Sequence, residues 1–242
     1  MKSLKLFFCI FLLAVAFFAL SIFILFNSSK ENEAPHGALK SESNESLKSY
    51  VVIIDAGHGG EDGGAIGKNG AYEKDINLLL AKKLKERLVS LGITCELTRE
   101  SDILLYDKNA DYEGKKKKLD LQARKEFAER YENAIFISIH QNSFSKSQYS
   151  GLQVYYSTND PASRILASKI QADIKKGLQP NNNRAIKPSS SIYLLDELTC
   201  PAVLVECGFL SNQAECERLC DESYQNAICD ILAKSIFDFC NQ

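Results

Sequence analysis

The chain has 242 residues, of which 45% are hydrophobic, so it is long and apolar enough to form one globular domain with a sizeable core. Its formal net charge of -2 at pH 7 supplies no large positive surface for phosphate groups, which argues against a nucleic-acid partner.

The first predicted element is an apolar run from Leu6 to Phe26, rich in Phe, Leu and Ile, which is long enough to span a bilayer. Because Lys2 and Lys5 precede it, the positive-inside rule places the N-terminus in the cytoplasm and the following residues on the outer side. A cleaved signal peptide is the alternative, but its apolar region is normally shorter and ends at small residues. The sequence therefore favours a transmembrane anchor within residues 1–26.

Residues 27–50 are rich in Ser, Asn, Glu and Lys and lack the apolar periodicity of a packed element, which is typical of a flexible tether. A tether of this length reaches about 25 to 30 Å. The sequence thus predicts a folded domain, residues 51–242, that is membrane-anchored and extracytoplasmic.

Cysteine usage does not indicate a disulfide scaffold. Cys9 lies in the apolar run, and the other seven cysteines are an odd number. Because the domain is large enough to be stable without disulfides, we expect most of these residues to be buried thiols. The four-residue spacing of Cys216 and Cys220 would bring them close on a helix and leaves open whether they bond.

The first half of the domain alternates strands with helices. β-Branched residues predict a strand at Val51–Ile54, and helical spacing of apolar residues predicts a helix at Glu73–Val89. A strand at Ile93–Thr98, a helix at Leu121–Tyr131 and a buried strand at 135–140 continue the alternation.

The second half continues this pattern. We predict strands at Gly151–Ser157, Ile192–Leu195 and Ala202–Glu206, and helices at Pro161–Lys175 and within Ser223–Phe239. Together the elements predict a single α/β domain with a mostly parallel or mixed twisted sheet of about six strands, flanked by helices on both faces.

Two histidines and a glutamate lie at predicted strand ends. His58 follows the first strand, His140 ends "IFISIH" and Glu206 ends "AVLVE". Ligands bind at the carboxyl ends of strands in such sheets. Glu73 opens the helix after the His58 loop, and a short connection keeps that helix start near the same edge. We expect these four side chains to face one cavity.

Two histidines and one carboxylate are a ligand set of catalytic zinc, and hydrolysis needs a further carboxylate as general base. We assign His58, Glu73 and His140 to one Zn²⁺ per chain and Glu206 to the base, for metal-assisted amide hydrolysis. Each residue alone has a structural explanation, such as a hydrogen-bonded histidine or an acid favoured by the helix dipole. The combination favours a metal site, because residues 51–242 contain only two histidines and both lie at strand ends.

Residues around the histidines have supporting roles in this interpretation. Asp55 and Asn142 either orient the two histidines or cap turns. The glycines of "GHGGEDGG" allow a sharp turn close to a ligand. They do not form a dinucleotide fingerprint, which needs Gly at the position of Asp62.

Four segments carry a resemblance to a known family. "IIDAGHGGEDGGA", "EKDINLLLA", "SIHQNS" and "VLVECGFLSN" resemble, in this order, segments of the zinc-dependent N-acetylmuramoyl-L-alanine amidases of bacterial cell walls. The resemblance implies zinc on His58, Glu73 and His140 and catalysis by Glu206. It also implies cleavage, in peptidoglycan, of the amide between the lactyl group of N-acetylmuramic acid and L-alanine.

Within that family, the short N-terminal anchor, the segments "TRESD" and "SIYLL" and the absence of added wall-binding repeats are most similar to the membrane-anchored sporulation amidases of the CwlD type. This similarity implies a role in spore cortex maturation and functional pairing with a muramic acid deacetylase. The intact site residues leave open whether an accessory or activating protein is a further partner. The C-terminal cysteines depart from the family pattern, and Cys207 directly follows the predicted base.

Three alternatives stay open at this point. A cysteine peptide hydrolase would use Cys207 as nucleophile and His140 as base, but leaves His58 and Glu73 without a role. A non-haem iron oxygenase has the same ligand set, although its usual fold is a β-sandwich. A wall-binding or partner-activated module with little turnover would keep all four residues.

Overall fold

A computed structural model describes residues 50–107, 109 and 114–242. These residues form one α/β domain of six strands and six helices. The strands are β1 (Val51–Ala56), β2 (Thr94–Leu97), β3 (Ala134–Asn142), β4 (Gln153–Tyr156), β5 (Lys187–Pro188) and β6 (Ala202–Phe209). The helices are α1 (Glu73–Ser90), α2 (Lys116–Ala128), α3 (Pro161–Gly177), α4 (Tyr193–Glu197), α5 (Gln213–Leu219) and α6 (Glu222–Cys240).

The six strands form one mixed sheet in the order β2-β1-β3-β6-β4-β5. β1 runs parallel to β2 and β3, and β3 runs parallel to β6. β4 is antiparallel to β6 and parallel to β5. The central strands therefore end at the same edge of the sheet, and β4 begins at that edge.

Helices cover both faces of the sheet, as predicted. The larger core contains alternate residues of the central strands, such as Ile54, Ile137 and Val205, and side chains of α1, α3, α5 and α6. The smaller core lies on the opposite face, where Ile53 and Phe136 pack with side chains of α2 and α4. Strand residues alternate between the two faces, so neighbouring residues of a strand enter different cores.

The structure corrects the prediction in the region before β6. Ile192–Leu195 was predicted as a strand, but Tyr193–Glu197 forms the short helix α4, because a run of four apolar residues does not distinguish a strand from a buried helix. The strand in this region is instead Lys187–Pro188, whose proline is tolerated because β5 is an edge strand. The helix Gln213–Leu219 was not predicted, and α2 begins earlier, at Lys116.

The predicted anchor at Leu6–Phe26 and most of the tether lie outside the described residues. Within the described part of the chain, none of the helices combines the length and the apolar character needed to cross a bilayer.

The cysteines of the described domain are all free thiols. Four of the seven are buried, as expected for thiols that fill a core. Cys216 and Cys220 do not bond to each other, and the side chain of Asn69 contacts both sulfur atoms, at 3.1 Å and 3.2 Å.

Candidate metal centre

The structure brings His58, Glu73 and His140 together at the carboxyl edge of the sheet. β1 and β3 are parallel neighbours, so the loop after β1 and the end of β3 meet at this edge, and α1 begins there with Glu73. Oε1 of Glu73 lies 3.3 Å from Nε2 of His58 and 2.9 Å from Nδ1 of His140. One ligand atom from each residue lies within 4.8 Å of the other two, so the three side chains could hold a metal ion.

The buried carboxylate of Glu73 is held by backbone donors as well. Its Oε1 accepts a hydrogen bond from the Gln141 N–H at 3.0 Å, and its Oε2 accepts one from the Ala65 N–H at 2.8 Å. Burial opposes ionisation, but hydrogen bonds with His140 and His58 outweigh it and hold the pKa of Glu73 well below its usual range. Glu73 is therefore an oriented anion before any metal binds.

Glu206 lies beside this group, on the neighbouring strand. β3 and β6 pair with His140 opposite Glu206, so the two side chains lie on the same face. Oε2 of Glu206 is buried and has no hydrogen-bond partner among the described residues. Burial, reinforced by the negative charge of Glu73, raises the pKa of Glu206 to about 7. A cation bound next to it would favour the carboxylate form.

His58 has a backbone conformation that is unusual for a residue with a side chain. Its φ of 63° is in the left-handed region, which costs about 1–3 kcal/mol for such residues and is maintained only by surrounding contacts. Its carbonyl oxygen accepts a hydrogen bond from Arg124 at 2.8 Å, and its Nδ1 lies 2.9 Å from an oxygen of Asp62. The loop therefore aims the His58 ring at Glu73 at some conformational cost.

Two buried arginines hydrogen-bond to the backbone of this loop. Only 1% of Arg124 and 2% of Arg99 are exposed. Arg124 donates to the carbonyl of Ala56 at 2.8 Å, in addition to that of His58. Arg99 donates to the carbonyls of Ala56 at 2.9 Å and Gly57 at 3.1 Å. Neither arginine was predicted as a site residue, although Arg99 belongs to the "TRESD" segment that resembles sporulation amidases.

Asp55 does not contact a histidine ring, contrary to one of the two expectations for it. Its carboxylate accepts hydrogen bonds from Thr98 and Ser138, both at 2.7 Å, and from Arg124 at 2.6 Å. Burial alone would raise its pKa, but Arg124 and the two hydroxyl groups lower it. Asp55 thus supports the site indirectly, by holding the arginine that holds His58. The backbone carbonyl of Asn142 accepts a hydrogen bond from the Leu210 N–H at 2.8 Å.

Gly57 lies against the ring of His140, which leads to a prediction. A Cβ at position 57 would lie 2.1 Å from Nε2 of His140, so Gly57→Ala forces that ring to move. We expect Gly57→Ala to weaken metal binding by at least about tenfold, the range seen when a ligand is misoriented. Metal content after dialysis against a graded chelator measures this. Gly63→Ala is the control, since its Cβ meets only the exposed ring of Tyr72, at 3.0 Å; equal metal retention in both variants would contradict the prediction.

The structure gives little support to Cys207 as a nucleophile. Its side chain is fully buried in the larger core, on the opposite face of β6 from Glu206. Burial raises the pKa of the Cys207 thiol well above its usual value, so the reactive thiolate is disfavoured. The α/β fold also differs from the β-sandwich expected for an iron oxygenase.

Known proteins resemble this chain over most of the described domain. The sequence model of the N-acetylmuramoyl-L-alanine amidase family matches residues 52–238. The germination-specific N-acetylmuramoyl-L-alanine amidase of Bacillus subtilis is 33% identical over 193 residues, covering 80% of this chain and 81% of its own length.

Solved structures show the same relationship. The CwlD amidase of Clostridioides difficile, determined in complex with the GerS lipoprotein, is 40% identical, with a TM-score of 0.73 over 78% of this chain and 97% of its own. The amidase AmiC2 of Nostoc punctiforme is 29% identical, with a TM-score of 0.69 over 80% and 98%. The chain therefore belongs to the N-acetylmuramoyl-L-alanine amidase family and is an enzyme that acts on peptidoglycan.

Proposed function

We propose that the protein is a zinc-dependent amidase that hydrolyses the bond between the lactyl group of N-acetylmuramic acid and L-alanine. In this proposal His58, Glu73 and His140 bind one Zn²⁺ per chain and Glu206 is the catalytic base. The main support is that three ligand atoms lie within 4.8 Å of one another. On the adjacent strand, Glu206 places a buried carboxylate oxygen that has no hydrogen-bond partner among the described residues. Two imidazoles and one carboxylate leave a coordination position open, which fits a catalytic zinc site.

The roles of the protein's own groups follow from their positions. A bound zinc would lower the pKa of a coordinated water to about 7 and polarise the scissile carbonyl. Glu206 accepts the proton of the attacking water and later delivers it to the nitrogen of the leaving peptide. A zinc ion bound beside Glu206 would favour its carboxylate form, which is the form that a base needs before it takes up a proton. Glu73, ionised and held by the backbone N–H groups of Ala65 and Gln141, keeps both imidazoles in place.

We further propose that the domain works on the cell-wall side of the membrane, tethered by residues 27–50 to an anchor at Leu6–Phe26. Similarity to a germination-specific amidase and to CwlD supports a role in spore cortex maturation, with a muramic acid deacetylase acting on the product. The CwlD structure contains a lipoprotein, which supports an accessory protein as a further binding partner here.

Metal removal tests the proposal. The full-length chain is incubated with purified peptidoglycan, alone, with a chelator, and with chelator followed by added zinc, and the products are identified by mass spectrometry. We expect peptides with a free L-alanine N-terminus from the untreated chain, at least a hundredfold less with chelator, and recovery with zinc, because the ion generates the nucleophile.

Cys207→Ser separates this proposal from a thiol mechanism. We expect this variant to release peptides at a rate close to that of the parent chain, because the buried thiol does not face the site. Loss of hydrolysis in a variant that still folds and binds zinc, or activity that survives complete metal removal, would overturn the zinc assignment. If the chain binds zinc but releases nothing until an accessory lipoprotein is added, the partner-activated alternative is correct.

A further inference from the structure

Arg184 is an arginine with a fixed guanidinium group near the proposed base. Its Nε donates to the carbonyl of Ser150 at 2.8 Å, and its Nη1 donates to the side chain of Gln153 at 3.1 Å. The guanidinium carbon lies 4.4 Å from the centre of the Phe209 ring and 5.9 Å from that of Tyr149. Two neutral acceptors and two aromatic rings thus hold the cation in one orientation.

Arg184 forms no salt bridge with the described residues, although the buried carboxylate of Glu215 lies near enough to interact with its charge. Within the described part of the chain, no carboxylate oxygen lies within 4.0 Å of its nitrogens, and its Nη2 donates to no protein group. The side chain is half-buried, so its outward N–H groups face a partly desolvated surface. An oriented guanidinium with free donors is suited to bidentate binding of a carboxylate.

The position of Arg184 relative to the proposed base follows from the sheet. Gln153, the residue that accepts from Nη1, pairs with Glu206 across β4 and β6, so the two side chains lie next to each other on one face. Phe209, on which the guanidinium stacks, lies three residues after Glu206 on the same strand. Arg184 is therefore linked to Glu206 through the side chain of Gln153, which contacts Nη1 and lies beside Glu206 in the sheet.

We propose that Arg184 binds a carboxylate of the stem peptide, and so determines specificity for the peptide side of the scissile amide. This inference rests on the proposed function. In that substrate the lactyl carboxyl group is already an amide, so the free carboxylates near the scissile bond belong to the peptide. The sugar hydroxyls carry no charge and do not require an unpaired cation.

The test compares two substrates: soluble peptidoglycan fragments with free stem-peptide carboxylates, and the same fragments after conversion of those carboxylates to methylamides. Initial rates give kcat and KM for the full-length parent chain, Arg184→Gln and Arg184→Lys. Arg164→Gln, on the exposed surface of α3, is the matched control. For the carboxylate substrate we expect Arg184→Gln to raise KM about tenfold or more, as for loss of charge-assisted hydrogen bonds, and to change kcat less than about twofold.

The methylamide substrate should be cleaved with a raised KM by the parent chain, and Arg184→Gln should add no further increase. For the carboxylate substrate, the KM of Arg184→Lys should lie between those of the parent chain and Arg184→Gln, since lysine keeps the charge but not the planar fork. An equal rise in KM for both substrates, or a fall in kcat alone, would overturn the assignment and indicate a structural role.

A binding measurement keeps this inference separate from the proposed function. Calorimetry with the released stem peptide and its methylamide form measures the carboxylate preference without hydrolysis. If the parent chain cleaves neither substrate, the proposed function fails, but a preference for the free carboxylate that disappears in Arg184→Gln still supports the Arg184 site. Equal affinity of the parent chain for both peptides would refute it.

Discussion

Glu206→Gln is expected to lower kcat for peptidoglycan hydrolysis by about 10²- to 10⁴-fold, the usual contribution of a general base. Gln has nearly the shape of Glu but cannot accept the proton of the attacking water. The buried Oε2 of Glu206 has no hydrogen-bond partner in the described residues, so its amide replacement breaks no protein contact of that atom. Zinc content and the free energy of unfolding should therefore stay close to those of the parent chain.

The measurements are kcat, zinc per chain and a urea unfolding curve, made on the same preparations. Glu197→Gln is a matched control, because Glu197 is an exposed carboxylate on α4, away from the ligand group. If Glu206→Gln keeps more than about a tenth of the parent kcat, Glu206 is not the base and another group must accept the proton.

Arg124→Met is expected to reduce the free energy of unfolding by about 3–5 kcal/mol, the range for removing one partner of a buried ion pair. The change leaves two buried carboxylates, those of Asp55 at 2.6 Å and Asp120 at 2.8 Å from Arg124, without the cation that they share. It also removes the donor to the carbonyl of His58, so the strained loop loses a contact that holds it. Metal affinity should fall together with stability.

The pH dependence of this loss identifies its cause. Because the folded pKa of Asp55 lies below its usual value, the pair contributes stability that is fully present above the unfolded pKa and is lost as pH falls through the folded pKa. The difference in unfolding free energy between the parent chain and Arg124→Met should thus be largest near neutral pH and smaller in acid. Arg130→Met, at an exposed position just after α2, is the control. If Arg124→Met lowers the free energy of unfolding no more than Arg130→Met does, the pair is unimportant for stability.

Much of the fold could be predicted because it depends on local patterns. β-Branched runs such as Val51–Ile54 are typical of buried strands, and the apolar spacing after Glu73 is that of a helix. Since parallel strands end at one edge, the positions of His58 and His140 were sufficient to predict that they meet there.

What the sequence did not provide depends on contacts between distant segments. Arginine is usually exposed, so nothing in the local pattern of α2 indicates that Arg124 is buried beneath the His58 loop. Arg184 lies in an irregular polar segment, and its relation to Glu206 exists only through the pairing of β4 with β6. Short elements such as α4 and β5 contain too few residues to show a period.

The reversed direction of β4 has a consequence for how such enzymes diversify. Because β4 begins where β6 ends, the ten residues 143–152 between β3 and β4 stay beside the reaction centre instead of crossing to the opposite edge. None of them is a predicted metal ligand, whereas Tyr149 and Ser150 contact Arg184. If the proposed site is correct, insertions or substitutions in this loop can alter which peptide is accepted while the proposed ligands, in the loop after β1, on α1 and on β3, remain in place. Selection can then act on substrate choice and on catalytic rate separately, because different segments of the chain determine them.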